Sequence, residues 1–201
     1  MFGFTNIDVF SLFAGYLFGS IPFGLILTQM AGLGDIRKIG SGNIGATNVL
    51  RTGNKPLALA TLILDGAKGA IAIFVARELT TDPDSIALAG LAALLGHIFP
   101  IWLKFNGGKG VATSMGVVLA VHWPAGLLFM GTWILALIFF RISSLSALIS
   151  SAITPIIVTF TVDLKYGLFS IALTAGIYIR HIENIKRIID GTEPKIGKSK
   201  K

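Results

Sequence analysis

Seven apolar stretches follow one another along this chain, and they constrain its fold more than any other feature. They run over residues 7–31, 56–76, about 86–103, 111–122, then to about Phe140, to about Val162, and over about 166–179. A helix needs about 20 predominantly apolar residues to cross the hydrocarbon core of a bilayer. Charged residues make up only 13% of the chain against 53% hydrophobic, whereas a soluble domain carries about 25% charged residues. The expected fold is all-α: a polytopic integral membrane helix bundle of about seven transmembrane helices, with residues 1–201 as a single membrane domain. Residues 111–122 are short for a full crossing and fit a half-span, or a helix that begins inside the bilayer. A five-span arrangement with 111–140 partly re-entrant is the alternative. Asp8 and the lack of a basic segment before the first stretch mark that stretch as a retained helix rather than a cleaved signal.

Charge sets the orientation. The net charge is +7, from 17 basic and 10 acidic residues. With seven crossings, one face collects residues 37, 38, 51, 55, 104, 109, 141, 180, 186, 187, 195, 198, 200 and 201, all Lys or Arg. The other face holds Arg77 and Lys165 together with Asp8, Glu78, Asp82, Asp84 and Asp163. By the positive-inside rule the basic face is cytoplasmic, which puts the N-terminus outside and the C-terminus inside. This asymmetry accounts for the basic balance without a nucleic-acid partner. The absence of cysteine excludes a disulfide framework or thiolate metal site.

Three polar segments fall on the basic face: SGNIGATNVLR (41–51), KFNGGKGVAT (104–113) and RHIENIKR (180–187). Orientation requires their cations but not their Ser, Thr, Asn, Gly and His content. In the second, three glycines in four residues allow close approach of the backbone to a ligand, with amide N–H groups directed inward. Lys104 and Lys109 add positive charge. In the first, hydroxyls and the fork of Arg51 suit phosphate oxygens. Two basic phosphate cradles would serve two phosphorylated substrates. His181 and Asn184, three apart, fall on one helix face. Ser143 and Ser144 fit a helix N-cap or hydroxyl donors to a phosphate. Within the second stretch, Asp65 and Lys68 are spaced to pair on one helix face; His122 reads as a turn residue beside Trp123, and His97 faces either the bilayer or the bundle interior. Pro22, in GSIPFG (19–24), should kink the first span.

Spacing removes the common alternatives. A Walker loop requires G-x-x-x-x-G-K-[ST], but Gly110 follows Lys109 and no glycine stands at 103. The basic face carries no helix-borne carboxylate cluster of the kind a Mg²⁺-dependent phosphatidyl transferase needs. No metal and no cofactor is expected.

These segments, with GSIPFG at 19–24, GHIFPIWLKFNGGKGVAT at 96–113 and RHIENIKRIIDGTE at 180–193, closely resemble the bacterial acyl-phosphate-dependent glycerol-3-phosphate acyltransferases, and the likeness spans essentially the whole chain. The H-x-x-x-x-D pair of other acyltransferases is absent, since Trp102, Leu127 and Lys186 stand five residues after the histidines. The resemblance implies an inner-membrane enzyme, with these loops in the cytosol, that moves a fatty acyl group from acyl phosphate to the 1-hydroxyl of sn-glycerol 3-phosphate, releasing lysophosphatidic acid and phosphate. The partners implied are these small molecules, membrane lipid and an enzyme that forms acyl phosphate. The candidate catalytic residues are His181, Asn184 and Lys104. The candidate substrate-binding residues are Ser41, Gly42, Asn43, Thr47, Asn48 and Arg51; His97; Asn106, Gly107, Gly108, Lys109, Gly110 and Thr113; and Ser143 and Ser144. In this scheme Gly107–Gly110 with the two lysines takes acyl phosphate, its amides doubling as an oxyanion hole, while Ser41, Asn48 and Arg51 hold glycerol phosphate. His181 is the protein's candidate general base, since histidine ordinarily titrates near about 6.5; the donor phosphate is the other. A transporter of phosphate or organic anions is the rival from another class. It predicts polar residues continuing across the bundle, and beyond Asp65 and Lys68 none stand out. A structural scaffold leaves the Gly/Asn/Arg clusters without a purpose.

Overall fold

A computed structural model of the chain describes residues 5–197; Lys198, Lys200 and Lys201 of the basic tail lie outside the described residues. The architecture is all-helical and resolves into two compact units, Met1–Val121 and His122–Lys201.

The first unit contains α1 (Asn6–Gly19), α2 (Phe23–Met30), α3 (Ala46–Leu50), α4 (Lys55–Leu79), α5 (Pro83–Ile98) and α6 (Val111–Val121). Helix α1 starts at a capping box between Thr5 and Asp8, which satisfies backbone donors that no earlier helical turn can accept. In place of the expected kink at Pro22 there is a full break: α1 ends at Gly19 and Pro22, lacking an N–H, stands as N-cap of α2, so a single apolar stretch becomes two helices. The faces of α1 reverse the order of a soluble helix. Its buried residues are Asp8, Ser11, Gly15 and Gly19, while Val9, Phe10 and Phe13 are exposed. That is the pattern of a helix whose large apolar side chains meet lipid while small residues make the helix contact. Gly15 and Gly19 lie on the backbone of Ala89 and Ala93 of α5, where a Cβ would come within 2.3 and 2.0 Å of their carbonyl oxygens.

Helices α1 and α5 run parallel, tied near their N-termini by Ser85 Oγ donating to Asp8. Helices α4 and α6 are also parallel: Gly66 faces Ala112 O and Gly69 faces Thr113 O, and Arg77 near the end of α4 donates to the carbonyls of Ala120 (2.6 Å) and Val121 (2.9 Å). Those are terminal carbonyls of α6 that no further turn satisfies. Parallel packing puts the start of α6 level with Gly66, eleven residues into α4, about 16 Å from its first residue. Helix α6 is therefore the expected short helix that starts part-way along its neighbour.

The second unit contains α7 (Trp123–Phe140), α8 (Ser143–Thr161), α9 (Leu164–Arg180) and α10 (Ile182–Ile189). Helix α8 buries Ser144, Ser146, Ser150, Ser151 and Thr154 and exposes Ile153, Ile156 and Phe160. The hydroxyls of Ser146, Ser150, Ser151 and Thr154 bond back to carbonyls of the preceding turn, so they pack closely without an unmet donor. Antiparallel α9 completes the contact, with Thr174 Oγ1 donating to Ser151 O (2.7 Å) and Tyr178 Oη to Leu148 O (3.1 Å).

Among the described residues five stretches are long and apolar enough to cross a membrane: Asn6–Met30, Lys55–Leu79, Pro83–Leu103, Trp123–Phe140 and Ser143–Thr161. Helices α6 and α9, with 11 and 17 residues, are shorter. All seven apolar stretches are helical; five meet the length and hydropathy of a full span.

Candidate active site

In the first unit the segment after α2 is not the open loop its Gly/Asn content implies. Residues Ile36–Lys38 make a 3₁₀ turn and Ala46–Leu50 form α3, folded over a core of Leu25, Ile36, Ile44, Val49, Ala58 and Leu103. Asn48 organises this segment. Its amide nitrogen donates to the carbonyls of Ile36, Ile39 and Asn43 at 2.8–3.0 Å, and its oxygen accepts from Ser41 N–H at 3.0 Å. At 1% exposure Asn48 is an internal tie, which departs from the expectation that it grips substrate. It holds Ser41 and Gly42 exposed at the rim, with Arg51 alongside, its Nη1 2.8 Å from where a Cβ on Gly40 would stand. Arg37, a second cation here, is committed to Asp35 by a forked pair at 2.7–3.2 Å. Those hydrogen bonds from Arg37 hold the Asp35 carboxyl down to about 2. Asn43 and Thr47 are half-buried on the same segment.

Leu103 belongs to that core, so the residue after it, Lys104, is carried to the Ser41–Arg51 segment. Lys104 and Phe105 both adopt left-handed backbone, at φ 51° and 62°, a conformation costing non-glycine residues roughly 1–2 kcal/mol each. This reversal leads the chain back along α5 through Asn106 to the glycines.

Here the structure corrects the sequence reading. The N–H groups of Gly107 and Gly108 do not point into a ligand space; they donate to Ile98 O and His97 O, each at 3.0 Å. They satisfy carbonyls at the C-terminus of α5, which the helix leaves unmet. Glycine is needed at 108 for room, since a Cβ there would fall 2.1 Å from His97 Nε2. The two amides are thus spent and supply no oxyanion hole. Lys109 and Gly110 lead directly into the first turn of α6, whose Thr113 is fully buried rather than at a mouth. His97, 4% exposed, lies in the interior beneath the loop, its Nε2 edge against Gly108. Its Nδ1 is 3.8 Å from Asp65 Oδ1, and that oxygen pairs with Lys68 Nζ at 2.8 Å, as the spacing predicts. Along α1, Phe10, Phe13, Leu17, Ile21 and Trp102 line an apolar cavity of ≈ 490 Å³, with the Trp102 indole N–H held by Ser20 Oγ at 2.8 Å.

In the second unit the third polar segment closes on Glu193. Its carboxylate accepts from Ser144 Oγ (2.6 Å), Asn184 Nδ2 (2.5 Å) and Arg187 Nε (2.7 Å). Burial pushes the Glu193 carboxyl up, but these three donors prevail and hold it below the ordinary carboxylate range. Neither Ser143 nor Ser144 caps α8; the cap position is Ile142, with no side-chain cap, because the Ser144 hydroxyl is committed to Glu193. His181 and Asn184 do share a face, 2% and 6% exposed. His181 Nδ1 lies 2.8 Å from Ile177 O. A carbonyl only accepts, so Nδ1 carries the hydrogen and Nε2 is the ring atom able to take a proton. Glu193 was not singled out from sequence. Its only signal was its place at the end of RHIENIKRIIDGTE, ten residues from Glu183, which pairs with Lys186 at 2.9 Å in the open.

Small and hydroxyl-bearing residues inward, large apolar residues outward, and polar clusters at helix ends define an integral, multi-pass membrane protein with chemistry at its helix termini. The glycerol-3-phosphate acyltransferase family model matches residues 9–191, and the chain belongs to that family. A glycerol-3-phosphate acyltransferase of Paramagnetospirillum magneticum is 57% identical over 187 residues, covering 93% of this chain and 92% of that one. One from Caulobacter vibrioides is 53% identical over 192 residues, covering 94% and 88%. Among solved structures, PlsY (YgiH), an integral membrane glycerol 3-phosphate acyltransferase in its glycerol 3-phosphate form, superposes with a TM-score of 0.89 at 34% identity, covering 94% of this chain and 96% of that chain. Its lysophosphatidic acid form gives 0.88 at 33%, covering 94% and 95%.

Proposed function

We propose that this protein transfers a fatty acyl group from acyl phosphate to the 1-hydroxyl of sn-glycerol 3-phosphate, giving lysophosphatidic acid and phosphate, the first step of phospholipid synthesis. The observation that carries the reading is that the segment bearing Ser41 and Arg51 and the residue before Lys104, Leu103, pack on one buried core. Cations from two separate segments suit anionic substrates, and the family's activity supports glycerol 3-phosphate as one of them. In this reading Ser41, with Gly42, Asn43 and Thr47, and Arg51 hold the phosphate of glycerol 3-phosphate. Lys104, Lys109 and the start of α6 receive the acyl phosphate, whose charge is favoured at a helix N-terminus. The acyl chain lies in an apolar groove, for which the cavity along α1 is the candidate. His181 and Asn184 orient the glycerol hydroxyls, the former from Nε2.

In the chemical step the 1-hydroxyl oxygen bonds to the acyl carbon and the bond from that carbon to the phosphate oxygen breaks. The proton goes to His181 Nε2 or to the departing phosphate. Because the mixed anhydride is already activated, the protein's main contribution is to hold two anions together, and positioning of this kind supplies roughly 7–11 kcal/mol.

We further read residues 1–201 as one membrane domain with seven crossings, α6 and α9 included. Its N-terminus lies outside and its C-terminus in the cytoplasm, and the polar clusters face the cytoplasmic side of the inner membrane. An enzyme that forms acyl phosphate feeds the reaction. The test is an assay of purified protein with acyl phosphate and glycerol 3-phosphate, without coenzyme A. Equimolar phosphate and lysophosphatidic acid are expected. No phosphate release, alongside phosphate flux in liposomes, would replace this reading with a transporter.

A further inference from the structure

The reaction leaves three buried side chains unused: Asp65 and Lys68 of α4 and His97 of α5, all at most 4% exposed. Lys68 Nζ reaches Asp65 Oδ1 and Ile21 O, each at 2.8 Å, and lies 5.8 Å from the ring centroid of Phe23. It thereby grips the break between α1 and α2 from both sides of Pro22. Asp65 Oδ1 faces His97 Nδ1 at 3.8 Å. The opposite edge of that imidazole bears on Gly108, and the His97 carbonyl accepts the Gly108 N–H. A continuous line of neighbouring groups therefore runs from the α1–α2 break, through α4 and α5, to the glycine loop. It lies level with the first turn of α6, where Gly66 faces Ala112 O.

An ion pair at this depth is not needed for α4 to cross a membrane. Burying two charges costs several kcal/mol, and apolar residues of similar volume often replace such a pair without loss of stability. What the pair provides is a fixed arrangement, since removing either partner leaves the other charge buried and unmet. We propose that Asp65, Lys68 and His97 act as one buried positioning unit that sets where the glycine loop, Lys109 and the start of α6 stand against the α1–α2 break. They are positioning residues, acting on substrate through the loop. The kinetic form of this inference rests on the assignment of the loop to acyl phosphate.

The test uses full-length protein in lipid nanodiscs, comparing Asp65→Asn, Lys68→Met, His97→Asn and the double variant D65N/K68M with the parent. Hydrogen exchange of residues 104–113 and KM for each substrate are measured. Each single variant should speed exchange in 104–113 while α8 and α9 keep their protection. KM for acyl phosphate should rise tenfold or more, toward the about 10²-fold loss that a displacement near 1 Å can cause, with KM for glycerol 3-phosphate little changed. The double variant should fold but not restore the donor KM. Unchanged exchange and unchanged donor KM in Asp65→Asn would overturn the proposal. So would a fall in active fraction with both KM values intact, which is the mark of a purely structural role, and so would recovery of the donor KM in the double variant. A loosened loop with the glycerol 3-phosphate KM raised instead would keep the positioning unit and overturn only the donor assignment. Where the Asp65 variant does not accumulate, Gly108→Ala disturbs the same contact from the loop side and must produce the same split; failure to do so counts against the proposal.

Discussion

Glutamate 193 offers the sharpest check on how the second unit is held together. Replacing it with glutamine keeps the shape but removes the charge and one acceptor oxygen. Ser144 and Asn184 both donate to Oε1, and Arg187 donates to Oε2. If the glutamine oxygen stays with the first two, its NH₂ meets the Arg187 donor. One charge-assisted bond is then lost and two are weakened to neutral ones. With such bonds worth about 1.5–3 kcal/mol and neutral ones about 1 kcal/mol, the terms sum to about 2.5–7 kcal/mol. The Arg187 side chain is 40% exposed, so water takes up part of the loss and the lower part of that range, roughly 2–4 kcal/mol, is expected. In a domain of this length that corresponds to a drop in Tm of about 4–16 °C. The assay is thermal unfolding in detergent, followed by tryptophan fluorescence, across a pH series. The folded Glu193 carboxyl lies below its ordinary value of 4.5. Its stabilisation is therefore complete above that pH and is lost as pH falls through the folded value. The gap between parent and E193Q should be constant at neutral pH and narrow only on acidification below about 4.5. A Tm within about 1 °C of the parent at pH 7, or a gap independent of pH down to the acid limit, would refute the assignment of Glu193 as the tie between Ser144, Asn184 and Arg187.

Asn48→Ala removes the donors to three carbonyls and the acceptor for Ser41, so it should cost about 2–4 kcal/mol, read as lower Tm together with weaker glycerol 3-phosphate binding. Arg51→Lys keeps the charge and loses the fork; a KM for glycerol 3-phosphate raised about tenfold with kcat nearly unchanged is expected, and an unaltered KM would place that phosphate elsewhere. His181→Ala should raise KM more than it lowers kcat if the departing phosphate takes the proton. A kcat loss near 10⁴-fold at constant KM would make Nε2 the general base.

Much of the architecture was legible in the sequence because a membrane allows few solutions. Each apolar stretch became a helix, Pro22 broke the first of them, and Asp65 met Lys68. All of these follow from local rules of length, missing N–H groups and helical spacing. Residue type also marked segments that fold into polar networks, since Ser41, His181 and Asn184 each take part in one. The role within a cluster was less visible. Asn48 resembled a ligand residue and is an internal tie, because its amide happens to face three inward carbonyls. Gly107 and Gly108 looked like a cradle of open amides, yet they are the space into which α5 and its histidine fit. Ser144 had the signature of a cap and instead serves a glutamate 49 residues away.

The sequence by itself determined the class of protein, the helical segments and the chemistry on offer, since hydropathy, proline and charge act over a few residues at a time. Tertiary structure alone decided where each polar group spends its hydrogen bonds. Donors and acceptors find partners across helices separated by dozens of residues, and in a low-dielectric interior an unmet group is too costly to leave. The partner that packing brings within about 3 Å therefore fixes whether an asparagine, a glycine or a serine faces substrate or holds the fold.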